Sequence, residues 1–147
     1  MGTPVEQDPG GRPLIAPTVF GAADGVTIAL GLIVSLTGMP HALFHAAVGA
    51  GCAELVGMTA GQWLSDNSAG FKAALANGGA ACLACVIPAL PYLAGSGPLV
   101  MAASLILVTV IAGLIALLRP EKGLLAAAQT YGVLLAAAGL CAAASLL

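Results

Sequence analysis

Apolar residues fall along this chain in five blocks, each about as long as a bilayer is thick. They cover residues 18–38, 42–65, 72–94, 98–118 and 124–147, each near the ~20 residues that a helix needs to cross the hydrocarbon core. The breaks between blocks have chemical reasons. Gly38 and Pro40 end the first, and the polar run SDNS at 65–68 ends the second. Gly95, Gly97 and Pro98 part the third from the fourth, and RPEKG at 119–123 parts the fourth from the fifth. Pro88 and Pro91 lie inside the third block and predict a kink or break there. The first 17 residues, MGTPVEQDPGGRPLIAP, are rich in Pro and Gly and predict a flexible tail with no core of its own. Mixed charges in that tail, and four further spans after the first, argue against a cleavable signal. The expected fold is an all-α integral membrane protein with five transmembrane helices.

Composition strengthens that reading. Only 7% of the 147 residues are charged and 60% are apolar, whereas a soluble domain has about a quarter of its residues charged. The outer face must therefore meet lipid. Twenty glycines point to helices packed closely through small residues. Four basic residues are too few for a nucleic-acid surface. The four cysteines, Cys52, Cys82, Cys85 and Cys141, lie in apolar blocks and read as small buried hydrophobes. Cys82 and Cys85 form a C-x-x-C, but no second pair is present to complete a zinc site. No nucleophilic triad, phosphate loop or nucleotide fingerprint occurs, so neither an enzyme nor a cofactor is expected.

Orientation follows from the basic residues. Arg12 precedes the first span, Lys72 follows the second, and Arg119 and Lys122 follow the fourth. All sit in alternate loops, hence on one side. The positive-inside rule puts the amino terminus in the cytoplasm and the carboxyl terminus outside, in a bacterial-type inner membrane. An odd number of spans makes an inverted repeat within one chain awkward, so a symmetric pathway needs two chains.

Against this apolar background, polar groups stand out. Asp24 lies about six residues into the first span, ~9 Å deep at 1.5 Å per residue. Met58 lies about seven residues from the same end of the second span, ~10 Å deep, which puts the two side chains level. Glu54 lies one turn beyond Met58 on the same helix face. That face reads Gly51, Glu54, Met58, Gly61, Ser65, and the matching face of the first span reads Gly21, Asp24, Thr27, Gly31, Ser35. Both spans also carry a small-xxx-small pair, Gly21 with Gly25 and Gly57 with Gly61, and together these faces predict a polar seam. An ionised residue at such depth costs ~2.5–3.5 kcal/mol on insertion scales. A divalent cation supplies the missing charge, so protons and metal compete for the same oxygens. The Met58 thioether adds softness that suits Fe²⁺, or less strongly Mn²⁺, over Mg²⁺ and Ca²⁺. The plainer reading makes both acids protonated structural groups and Met58 a packing residue.

Further polar positions carry less chemistry. His41 and His45, spaced i, i+4, stand at the outer start of the second span and are candidates for a metal or proton exit. Trp63 and Tyr92 suit the interfacial aromatic belt. Gln129 and Tyr131 suit hydrogen bonds between helices.

The stretch FGAADGVTIALGL resembles the first-helix signature of the vacuolar iron transporter family, F-G-x-x-D-G-(x)-T before a Leu/Gly run. GMTAGQWLSDNS resembles the second-helix signature, and VIPALPYL the family's Pro-rich stretch in the third helix. The likeness runs from about Phe20 to the end of the chain. It implies a five-helix protomer that dimerises through its first helix, with a metal path between subunits. Members of that family export Fe²⁺ or Mn²⁺ from the cytosol in exchange for protons. The family's first-helix Asp and second-helix Met map to Asp24 and Met58, both proposed metal contacts. Two departures stand out. The family's second-helix Glu falls at Gln62, and the Glu- and Met-rich cytoplasmic domain between helices two and three is replaced by SDNSAGFK. Shorter members are associated with manganese as well as iron.

The resulting expectation is a homodimeric exporter of Mn²⁺ or Fe²⁺. Asp24, Met58 and Glu54 would hold the ion, with Asp24 and Glu54 exchanging protons. Thr27 and Gln62 would line the path, and His41 and His45 would stand at the outer exit. Two alternatives remain. One is a non-transporting membrane scaffold derived from the same family, and the other a proton-coupled exporter of small organic cations.

Overall fold

A computed structural model of the chain describes residues 14–36, 38–65, 70–119 and 123–144. They form five membrane-length helices: α1 (Ile15–Leu36), α2 (Pro40–Ser65), α3 (Gly70–Val86), α4 (Pro98–Leu118) and α5 (Leu124–Ala144). A 3₁₀ segment, Ile87–Ala94, continues α3, and the combined Gly70–Ala94 run is 25 residues long. All five are long and apolar enough to cross a membrane, and no strand occurs among the described residues.

Proline and glycine set most of the boundaries. α1 starts at Ile15, so Pro17 falls in its first turn rather than in the tail. The first N–H groups of a helix have no intrahelical acceptor, so proline loses nothing there. The rest of the expected tail, 1–13, and the last three residues of the expected fifth span lie outside the described residues. Pro40 and Pro98 open α2 and α4 at the first helical position. Gly95 and Gly97, at φ 128° and 134°, make the turn before α4 in a region that side chains rarely enter. The expected break at Pro88 and Pro91 is a change of helix type. Two missing N–H groups three residues apart rule out continuous α-helical bonding, and the chain tightens into 3₁₀ geometry over eight residues.

α1 is the central helix and touches each of the other four. A core of Val26, Leu30, Ile33, Leu43, Ala84, Val108, Ala112, Ile115 and Leu134 gathers around it. Tyr92 is fully buried in this core, which corrects the expectation that it sits in an interfacial belt. Leucine and isoleucine on α4 and α5, such as Leu99, Ile106, Leu117, Leu135 and Leu140, point outward. Lipid is the solvent that tolerates such a surface.

In lipid, helices gain little from burying apolar area, so close van der Waals contact decides who neighbours whom. Glycine provides that contact on both sides of α3. A Cβ on Gly21 would collide with the Asn77 carbonyl, and one on Gly25 with the Ala81 carbonyl. Gly78 gives the same closeness to Leu55 and Thr59 of α2, and Gly51 of α2 sits against Cys82 and Val86. The pair Gly57 and Gly61, expected to act in the same way, meets nothing within 4 Å. α5 is the least enclosed helix, with 11% of its span buried. Two polar ties hold it to α4: Tyr131 Oη donates to the Thr109 carbonyl at 3.0 Å, and Arg119 Nη2 donates to Gln129 Oε1 at 2.7 Å.

Candidate functional site

The polar residues of α1, α2 and α3 fall in the half of the bundle that holds Ile15, Ser65 and Gly70. Asp24 comes from the middle of α1, on the side turned toward α2. Glu54 comes from α2, and its carboxyl group lies close to that of Asp24. Two carboxyl groups that close repel one another when both are ionised, and a proton or a cation relieves that repulsion. Glu54 Oε2 is buried and makes no hydrogen bond.

Register explains why Glu54, rather than Met58, is the residue that meets Asp24. Because α1 begins at Ile15, Asp24 lies nine residues in, ~14 Å from that end. Glu54 lies eleven residues from Ser65, ~16 Å, and Met58 only seven, ~10 Å. The expected level match of Asp24 with Met58 is thus displaced by about one turn.

Met58 instead faces a cleft of about 500 Å³ between the start of α1 and the end of α2. Ala16, Pro17 and Phe20 form one wall, Gly57, Gly61, Gln62 and Ser65 the other, and Asn77 of α3 lies between. Asn77 is 4% exposed, and its Oδ1 has no hydrogen-bond partner. Gln62 Oε1 and Thr59 Oγ1 are likewise buried and unpartnered. Buried polar atoms are nearly always satisfied, since each orphan costs about 1–3 kcal/mol. Of the unpartnered oxygens on α2 and α3, those of Gln62 and Asn77 belong to residues that line the cleft, where a polar ligand could satisfy them. Oxygen acceptors with a nearby carboxyl pair and one thioether attract a cation.

Other expected residues lie elsewhere. Thr27 faces away from the carboxyl pair, into a groove between α1, α4 and α5, and its hydroxyl is spent on the Ala23 carbonyl at 2.7 Å. Gly31 packs near Cys141 of α5, so the predicted polar face of α1 is divided between two sides of the helix. His41 and His45 are exposed at the opposite end of α2. His45 Nδ1 bonds the His41 carbonyl at 2.6 Å, which leaves Nε2 as its outward nitrogen. Cys85 is fully buried, and its thiol lies 3.6 Å from the Ala47 carbonyl. Among the described residues, no three His, Cys, Asp or Glu side chains converge as a metal-ligand set.

Sequence reasoning passed over Asn77 and Thr59. The signal for Asn77 was present: it is an amide inside an otherwise apolar block, open to the same suspicion as Asp24. Thr59 carried no such signal, because threonine commonly bonds its own helix backbone.

No protein-family model, curated protein or solved structure matches this chain.

Proposed function

We propose that this protein exports a divalent transition metal, Mn²⁺ or Fe²⁺, from the cytoplasm in exchange for protons. The observation that carries the reading is the Asp24–Glu54 carboxyl pair, close together across α1 and α2 beside an open cleft that holds Met58. The proton that relieves the repulsion of the two acids is the one a cation must displace. Binding of a dication and release of protons are then the two halves of an exchange. The resemblance of the α1 and α2 motifs to vacuolar iron transporters supports the same reading, as do the unpartnered oxygens of Gln62 and Asn77 at the cleft.

Two acids and one thioether make an incomplete coordination shell, and a second copy of the chain completes it. Along α2, His41, His45, Gly49, Ala53, Gly57, Gly61 and Ser65 recur every fourth residue, and all seven are exposed. This row, which winds gradually around the helix, holds mostly small or polar residues, and α2 is the least apolar of the five spans yet is largely exposed. In α1, by contrast, only Ala16, Phe20 and Ser35 are exposed. The proposed homodimer therefore closes through α2, not through α1 as expected, and brings two copies of the cleft together. The cytoplasmic placement of the amino terminus and a bacterial-type inner membrane are part of this proposal and rest on the four basic residues.

The deciding experiment is Mn²⁺ binding to purified protein across pH. The expected result is saturable binding that weakens as protons are added, releases protons into a lightly buffered solution, and is lost in Asp24→Asn. Binding of equal strength in that variant would sink the reading. The second reading, a membrane scaffold that does not transport, draws on the lack of a complete ligand set among the described residues. Unchanged Mn²⁺ and Fe²⁺ tolerance in cells lacking the protein would select it.

A further inference from the structure

A second cavity of the bundle lies away from the carboxyl pair. It is a groove of about 730 Å³ between the start of α1, the end of α4 and the first half of α5. Ile15, Val19, Val26, Ile115, Leu118 and Leu134 supply much of its wall. Two hydroxyls also line it, but both are already used. Thr27 donates to the Ala23 carbonyl at 2.7 Å, and Thr130 to the Ala126 carbonyl at 2.8 Å. The interior consequently offers hydrocarbon and no hydrogen-bonding group in need of a partner. The polar groups that remain stand together, where Arg119 donates to Gln129 Oε1 at 2.7 Å. That bond holds the guanidinium beside the groove at the end of α4, the level at which a lipid headgroup meets a membrane helix.

A ligand that fits must be apolar over most of its length and anionic at one end. A polar solute would leave its own groups unsatisfied against the wall, and a neutral hydrocarbon would ignore the guanidinium. We propose that this groove is a binding site for an anionic phospholipid, with an acyl chain between α1 and α5 and its phosphate on Arg119. A planar, permanently charged fork suits phosphate oxygens, and Lys72 at the start of α3 adds positive charge at the same end of the bundle. The lipid acts as a wedge for α5, the least enclosed of the five helices. This site is independent of metal transport and stands or falls separately from it.

The test is lipid retention by the full chain in mild detergent, measured by native mass spectrometry. The protein is offered an equal mixture of phosphatidylglycerol and phosphatidylcholine with identical acyl chains. The expected result is retention of phosphatidylglycerol over phosphatidylcholine by about fivefold, the scale of one basic group at an anionic membrane surface. Arg119→Gln should bring that ratio close to one while lipid is still retained, and Val133→Phe, which fills the groove from α5, should lower retention of both lipids. Equal retention of the two lipids by the unaltered protein would overturn the proposal whether or not the variants fold. An unchanged ratio in Arg119→Gln, or full retention in Val133→Phe, with helicity intact by circular dichroism, would overturn it as well.

Discussion

The carboxyl groups of Asp24 on α1 and Glu54 on α2 face each other at close range inside the bundle. Two acids so placed repel one another when both are ionised, and a proton or a cation between them relieves that repulsion. Four predictions follow from this pair, its cleft and the packing around it.

Replacing one acid separates charge from hydrogen bonding. Glu54→Gln keeps a partner for Asp24 and should leave thermal stability within about 1 kcal/mol of the parent. Asp24→Leu leaves the Glu54 carboxyl without that partner and should cost about 1–3 kcal/mol. Metal-driven proton flux in proteoliposomes should fall at least about tenfold in Asp24→Asn, equivalent to 1.4 kcal/mol, while insertion is retained. Flux at the parental level in that variant would show that Asp24 is structural.

Asn77 separates stability from binding. Its Oδ1 has no partner, so Asn77→Leu removes an orphaned polar atom and should leave the melting temperature equal or higher. The same change takes an oxygen from the cleft and should weaken Mn²⁺ affinity. Lower stability with unchanged affinity is the result that would assign Asn77 to packing alone.

Glycines on the two sides of the bundle should respond differently. Gly25→Ala pushes a methyl group into the Ala81 carbonyl and should destabilise the protein by about 1–3 kcal/mol, as overpacking does. Gly57→Ala and Gly61→Ala meet open space within the chain and should leave protomer stability unchanged. If two copies close through α2, Gly57→Leu lowers the dimer fraction in sedimentation or crosslinking without loss of helicity. A dimer that survives Gly57→Leu and Gly61→Leu together would place the interface elsewhere.

The polar ties of α5 can be tested through Tyr131. Tyr131→Phe removes the bond to the Thr109 carbonyl and should cost about 0.5–1.5 kcal/mol. Faster hydrogen exchange confined to α5 is the expected signature, since that helix is the least enclosed. Uniform acceleration across all five helices would instead make the tie part of the global core.

Much of the helix layout could be read from Gly and Pro. Pro40 and Pro98 mark helix starts, and Gly95 with Gly97 marks a turn, because each imposes a backbone geometry by itself. Tyr92 could not be read in this way. An aromatic residue near a span end looks interfacial until the packing around the 3₁₀ segment shows it covered on all sides. The candidate site was legible only in part. Asp24, Glu54, Met58 and Gln62 drew attention because polar or soft side chains are costly or informative in hydrocarbon. The depth of Asp24 was misjudged by about a turn, because α1 starts three residues before the apolar block does.

Taken alone, the amino-acid sequence determined that the chain makes five apolar helices of membrane length, since hydrophobicity and helix breaking are properties of local composition. Which helix lies at the centre was decided by the tertiary structure, as was which glycines make contact and which acid Asp24 meets. Helix register and facing depend on how neighbouring surfaces interlock, and in lipid that fit comes from shape, with little help from the apolar pattern.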